Sequence, residues 1–192
     1  METVKKIVVI GPESTGKSTL CEKLAHHYQT LWVSEYAREY LEKHGADYVY
    51  DDLLTIANGQ IELEDKFVNE FALRLHPSAF SLQPFAFIDT DMYVMKVWAE
   101  YVFNKCHNWI LNRIAEREYD LYLLCDVDLP WVEDKLREYP DGKIRKKLFY
   151  FYKDLMINQS TPWLIISGNY EERLEKAIQF IDSSFTQKTA LK

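Results

Sequence analysis

The sequence predicts an α/β fold built on a five-stranded parallel sheet with helices on both faces. Three observations carry this reading. Five short runs rich in β-branched or aromatic residues alternate with stretches of helical periodicity, the pattern of strands joined by crossover helices. Each run ends at a small or acidic residue: Gly11, Glu35, Asp89, Asp126 and Gly168. The 192 residues, 47% of them hydrophobic, supply one good core and suit a single domain over residues 1–192.

The elements follow in order. Lys5 to Ile10 is a continuous β-branched run halted by Gly11-Pro12, hence a strand. A helix from about Lys17 to Tyr28 places Leu20, Leu24, Ala25 and Tyr28 on one face. Leu31 to Ser34 is a short second strand, and a helix from about Glu35 to His44 is stopped by Gly45. Asp51-Asp52 can cap a long helix reaching Leu75, weakened internally at Gly59 by about 1 kcal/mol. Pro77 and Pro84 bracket a loop before the third strand, Phe85 to Ile88. Two helices are expected over 92–104 and 108–118, then a fourth strand from Tyr119 to Cys125. The stretch 129–147 is polar and broken by Pro130, Pro140 and Gly142, so it reads as a lid-like insertion. A helix over 146–157, a fifth strand at Trp163 to Ser167 and an amphipathic helix over 170–180 complete the chain.

Composition excludes several classes. The net charge of −7 argues against a nucleic-acid binder and against a face built for anionic lipid. Cys21, Cys106 and Cys125 are too widely spaced for a disulfide framework or a zinc site, and buried reduced thiols are expected. The apolar run Ile7 to Ile10 is too short for a signal peptide or a membrane span. A cytoplasmic location is the expectation.

The chemistry starts at Gly11-Pro12-Glu13-Ser14-Thr15-Gly16-Lys17-Ser18, which fits GxxxxGK[ST] between a strand and a helix. Such a loop wraps its backbone N–H groups around phosphates, and the following helix adds the positive end of its dipole. Residues Gly11, Glu13, Ser14, Thr15, Gly16, Lys17, Ser18 and Thr19 are therefore expected at ATP, with Lys17 at the β- and γ-phosphates and Ser18 on Mg²⁺. A GTPase would add a base-reading [NT]KxD loop; Asn104-Lys105-Cys106-His107 lacks its aspartate. A P-loop kinase for a small molecule, with a small lid, fits better.

Four motifs then stand in order: Gly11 to Ser18, Glu35-Tyr36-Ala37-Arg38-Glu39, Asp89-Thr90-Asp91, and Asp128-Leu129-Pro130-Trp131 with Asp134 and Arg137. Together they resemble the bacterial ribosylnicotinamide (nicotinamide riboside) kinases, which also occur as the kinase domain of a bifunctional NAD-biosynthesis regulator. The resemblance runs from Ile7 to about Phe180. It implies ATP- and Mg²⁺-dependent phosphorylation of a ribose 5′-hydroxyl and a small nucleoside as partner. A kinase for another nucleoside or small metabolite, and a non-enzymatic ATP-binding regulator, are the competing readings.

Phosphoryl transfer needs a metal-side acid and a group that takes the hydroxyl proton. Glu35, closing the second strand, is the candidate base, and Asp89, closing the third, the candidate metal ligand beside Ser18. Asp91 can likewise hold Mg²⁺, bind ribose hydroxyls, or simply cap the next helix. The window 135–147 holds six basic residues against Glu138 and Asp141, a local surplus of four on a chain that is otherwise at −11. Arg137 and Arg145 are its candidate phosphate clamps, Arg137 favoured by the resemblance and counted as catalytic with Lys17, Glu35 and Asp89. Tyr36, Arg38, Trp98 and Trp131 are the further candidates for substrate contact, because a cationic pyridinium suits an acidic, aromatic pocket.

Overall fold

The computed structural model describes residues 4–74 and 84–186, so the expectations for Leu75 and Pro77 lie outside the described residues. The strands are β1 (Lys5–Ile10), β2 (Leu31–Val33), β3 (Phe85–Asp89), β4 (Leu121–Cys125) and β5 (Trp163–Ile166). They form one parallel sheet in the order β2-β3-β1-β4-β5. All five carboxyl ends therefore open on one edge of the sheet, where ligands of such folds bind.

The helices are α1 (Lys17–His27), α2 (Tyr36–His44), α3 (Tyr50–Arg74), α4 (Met92–Phe103), α5 (Asn108–Glu116), α6 (Gly142–Ile157) and α7 (Tyr170–Thr186). Alternation along the central strand sorts the core. Ile7 and Val9 pack on one side with Leu20 and Leu24 of α1 and Ala177 and Ile181 of α7. Val8 and Ile10 pack on the other with Val97 of α4 and Leu148, Phe149 and Tyr152 of α6. A further cluster joins α2, α3, α4 and α5 through Ala37, Leu53, Ala57, Met95 and Ile110.

Three boundaries shift from the sequence reading, each for a physical reason. Asp141 accepts the Lys143 N–H at 2.7 Å and caps α6, which begins at Gly142. The irregular stretch expected as a lid over 129–147 is accordingly shorter, and Arg145, Lys146 and Lys147 lie on a helix. β4 starts two residues late because Tyr119 turns aside to donate its hydroxyl to buried Glu64. α7 runs on to Thr186, since Ile181 and Phe185 extend its buried stripe. α3 passes through Gly59 unbroken: a Cβ there would stand 2.1 Å from the Tyr36 ring, so the glycine is the floor on which that ring lies. Cys21 and Cys125 are buried free thiols, whereas Cys106 is half-exposed. Among the described residues no helix is long and apolar enough to cross a membrane.

Candidate functional site

The phosphate loop joins β1 to α1. Gly16 caps α1 with φ +77°, a conformation that disfavours any residue with a Cβ. A Cβ there would also sit 3.0 Å from Leu129 and 3.3 Å from Tyr170. Inside the loop, the Thr15 hydroxyl and the Lys17 ammonium both donate to the Pro12 carbonyl, at 2.7 and 3.2 Å. Behind it stands Arg173 of α7, 2% exposed. Its guanidinium donates to the carbonyls of Thr15 (2.9 Å), Gly168 (2.8 Å) and Asp126 (3.0 Å) and pairs with the Asp128 carboxylate. It thus ties the loop to the ends of β4 and β5. Sequence reasoning missed it, although one signal was available: Arg173 falls on the same helical face as the buried Ala177 and Ile181.

Ser18 Oγ donates to Asp89 Oδ2 at 2.5 Å. Asp89 is fully buried; burial first, and then the charge of Glu35, push its carboxyl up to about 7, against the pull of Lys17 and the Ser18 bond. The next residue, Thr90, holds φ at +79°, which is strained for a β-branched side chain. This twist separates the two acids. Asp91 points away from the cleft, accepts the Tyr93 and Val94 N–H groups as the cap of α4, and accepts the Tyr122 hydroxyl at 2.8 Å. Of the three roles open to Asp91, its carboxylate is committed to capping.

Glu35 occupies the N-cap position of α2, yet its carboxylate makes no capping bond among the described residues. Gln60 of α3 does that work: it accepts the Tyr36 N–H at 2.7 Å and donates to the Ser34 carbonyl at 3.3 Å. Glu35 is left facing a cavity of about 220 Å³, whose other walls are the loop residues Gly11 to Thr19, the side chain of Trp98, and residues 136–139 of the lid. Arg38 also lines it, held by Asp134 at 2.6 Å, a bond that raises the guanidinium above its ordinary pKa.

The aromatic lining differs from the expected set. Trp98 is present, but its companions are Tyr48, Tyr101, Tyr139 and Tyr152. Tyr48 meets Trp98 edge-on at 4.9 Å and accepts its indole N–H at 2.8 Å. Tyr36 is turned onto Gly59 and lines nothing in the cavity. Trp131 lies outside the cavity, with Arg145 and Arg137 over its ring at 5.2 and 5.9 Å. Tyr48 and Tyr139 escaped notice because loops carry them, where no periodicity marks a facing residue.

The two candidate arginine clamps differ. Arg137 lines the cavity and donates to the Val132 carbonyl and, at 3.4 Å, to Ser14 Oγ. Arg145 is 6% exposed, reaches the Ser14 carbonyl only at 3.5 Å, and its Nε has no partner among the described residues. A buried guanidinium with unspent donors beside a phosphate loop is suited to an incoming anion. Glu13, expected at ATP, turns its carboxylate to the lid backbone.

A family model described as an AAA domain matches residues 6–173. The trifunctional NAD biosynthesis/regulator protein NadR of Escherichia coli is 27% identical over 183 residues. That match takes in 93% of this chain, which spans 42% of the relative's length. Among solved structures, a NadR protein in complex with NR superposes with a TM-score of 0.71 at 23% identity, over 94% of this chain and 49% of that one. A NadR protein in complex with NAD and AMP-PNP gives 0.69 at 24% identity, with the same coverage. At these identities the superpositions speak for the fold.

Proposed function

The chain belongs to the AAA domain family, and within it we propose a kinase that moves the γ-phosphoryl group of ATP to the ribose 5′-hydroxyl of nicotinamide riboside, giving nicotinamide mononucleotide. One observation carries the reading: the phosphate loop, the uncommitted Glu35 carboxylate and an aromatic wall share one cavity. The NadR relatives, one solved with NR and one with AMP-PNP, support the choice of acceptor and donor.

Donor phosphates lie in the loop, where backbone N–H groups, the start of α1 and Lys17 hold them. Arg137 and Arg145 flank the loop tip at Ser14 and balance charge on the transferring group. Ser18 Oγ and the Asp89 carboxylate are hard oxygen ligands already in contact, and they fit Mg²⁺. The described residues hold no cluster of three His, Cys, Asp or Glu, so the ion would take its remaining ligands from phosphate and water, as Mg²⁺ commonly does. When bound it would draw charge from the β- and γ-phosphates.

Glu35 faces the acceptor side. Its carboxylate accepts the proton of the 5′-hydroxyl as the oxygen bonds to phosphorus and the bond to ADP breaks. The cationic pyridinium ring lies among Trp98 and the tyrosines, which offer it π faces and exclude water. Arg38 stays with Asp134 and shapes the rim.

ADP release measured with ATP, Mg²⁺ and a panel of nucleosides tests this. Turnover dependent on nicotinamide riboside is expected. Turnover only with another acceptor would reassign the substrate, and ATP binding without turnover on any acceptor would point to a regulator.

A further inference from the structure

We propose that Glu13 is a positioning residue that clamps the roof of the acceptor pocket onto the phosphate loop, so that the donor loop also sets the shape of the acceptor site. This rests on the kinase reading above.

An acid is an unexpected choice in a loop that cradles anions. The Glu13 carboxylate accepts the Glu138 N–H at 3.1 Å and also the Tyr139 N–H. Its neighbour Ser14 accepts the Val132 N–H at 3.0 Å. Two consecutive loop residues therefore pin both ends of the lid segment 132–139. The link continues through side chains. Glu138 accepts the Tyr48 hydroxyl at 2.9 Å, and that hydroxyl oxygen accepts the Trp98 indole N–H at 2.8 Å. Tyr139 packs edge-on against Tyr101 at 5.3 Å. A continuous chain of contacts thus runs from the phosphate loop, over the roof, to α4 on the far wall.

The roof consists of residues 136–139 and has no regular secondary structure of its own to hold it. Asp134 takes the Leu136 and Arg137 N–H groups from within the segment, and Glu13 takes the next two, those of Glu138 and Tyr139, from across the cleft. Burial raises the Glu13 carboxyl above its ordinary value while those two donors and Lys17 pull it down. A neutral acceptor of the same shape should keep the clamp, because an amide oxygen can accept both N–H groups.

The test compares the full chain with Glu13→Ala and Glu13→Gln. In hydrogen exchange without substrates, the Glu138 and Tyr139 amides of Glu13→Ala should exchange at least about tenfold faster, those of Glu13→Gln within about threefold of the parent. In steady-state kinetics, the acceptor KM of Glu13→Ala should rise about tenfold, well beyond any rise in the ATP KM, with Glu13→Gln restoring most of the loss. Unchanged exchange at the two amides of Glu13→Ala would overturn the clamp. Faster exchange with an unmoved acceptor KM, or equal rises in both KM values, would overturn its role in the acceptor site. A parent chain inactive on nicotinamide riboside would instead overturn the kinase reading, and the exchange arm would then decide alone whether Glu13 holds the roof.

Discussion

The two walls of the cleft are built by opposite means. The donor wall is mostly backbone: consecutive residues from Gly11 to Ser18 curl between β1 and α1, and one buried arginine braces them from behind. The acceptor wall is mostly side chain: Glu35 comes from the start of α2, Trp98 from α4, Tyr48 from the loop before α3 and Tyr139 from the lid. A backbone wall recognises a repeated, symmetrical group such as phosphate and is specified locally. A side-chain wall recognises one particular molecule and requires distant segments to converge. Damage should therefore propagate differently in the two.

The largest effect is expected on the donor wall. Lys17→Ala should lower turnover by about 10³-fold, since it removes the one side-chain cation inside the loop. An ADP-release assay with near-parental activity would break the assignment of this wall to phosphate. Next comes the brace. Arg173→Leu leaves three carbonyls and the Asp128 carboxylate without their partner, and should destabilise the chain by about 3 kcal/mol in denaturant unfolding. A loss of ATP affinity larger than the loss of acceptor affinity would show that the damage stays on the donor side.

Glu35→Gln sharpens the contrast from the other wall. We expect kcat to fall about 10²-fold with ATP affinity and melting temperature near the parent's, because the lost carboxylate makes no capping bond to α2. Calorimetric titration with an ATP analogue checks the first half of that claim; a weakened donor site would erase the separation between walls.

The smallest effect concerns the acid behind the cleft. Burial pushes the Asp91 carboxyl up to about 7, over the opposing bonds from Tyr122, Val94 and Tyr93. The native state therefore holds this proton at pH values where the unfolded chain has lost it, and stability falls as pH rises from about 4 through about 7. Asp91→Asn keeps a capping oxygen and cannot ionise. Between about pH 5 and 7.5 it should lose at least about 1 kcal/mol less stability than the parent, read by urea unfolding at each pH. Equal slopes would show that Asp91 does not titrate in that window.

The same contrast explains what could be read in advance. The strand runs, the parallel sheet and Gly11 to Ser18 are local patterns, and they stand where periodicity and spacing put them. Glu35 and Asp89 are legible as candidates because strand ends in this architecture converge. Gln60 and Arg173 are not, since all but one of the partners named for them are backbone carbonyl and amide groups, which carry no sequence identity. Tyr36 and Trp131 look plausible by proximity to motifs, but a glycine on α3 and the guanidinium groups of Arg137 and Arg145 draw them elsewhere. Asp91 differs from Asp89 by one twisted threonine, a backbone event no residue pattern announces.

Gln60 has an evolutionary consequence. By holding the entrance of α2 with a neutral amide, it relieves position 35 of the capping bond. Mutations at 35 can then alter reactivity without threatening the fold, so selection can explore new acceptors there at little risk to the scaffold. In many proteins the residue that does chemistry also anchors a helix, and the two demands restrain each other. On the kinase reading the two fall here to different residues on different helices, which leaves the proposed reacting position freer to change.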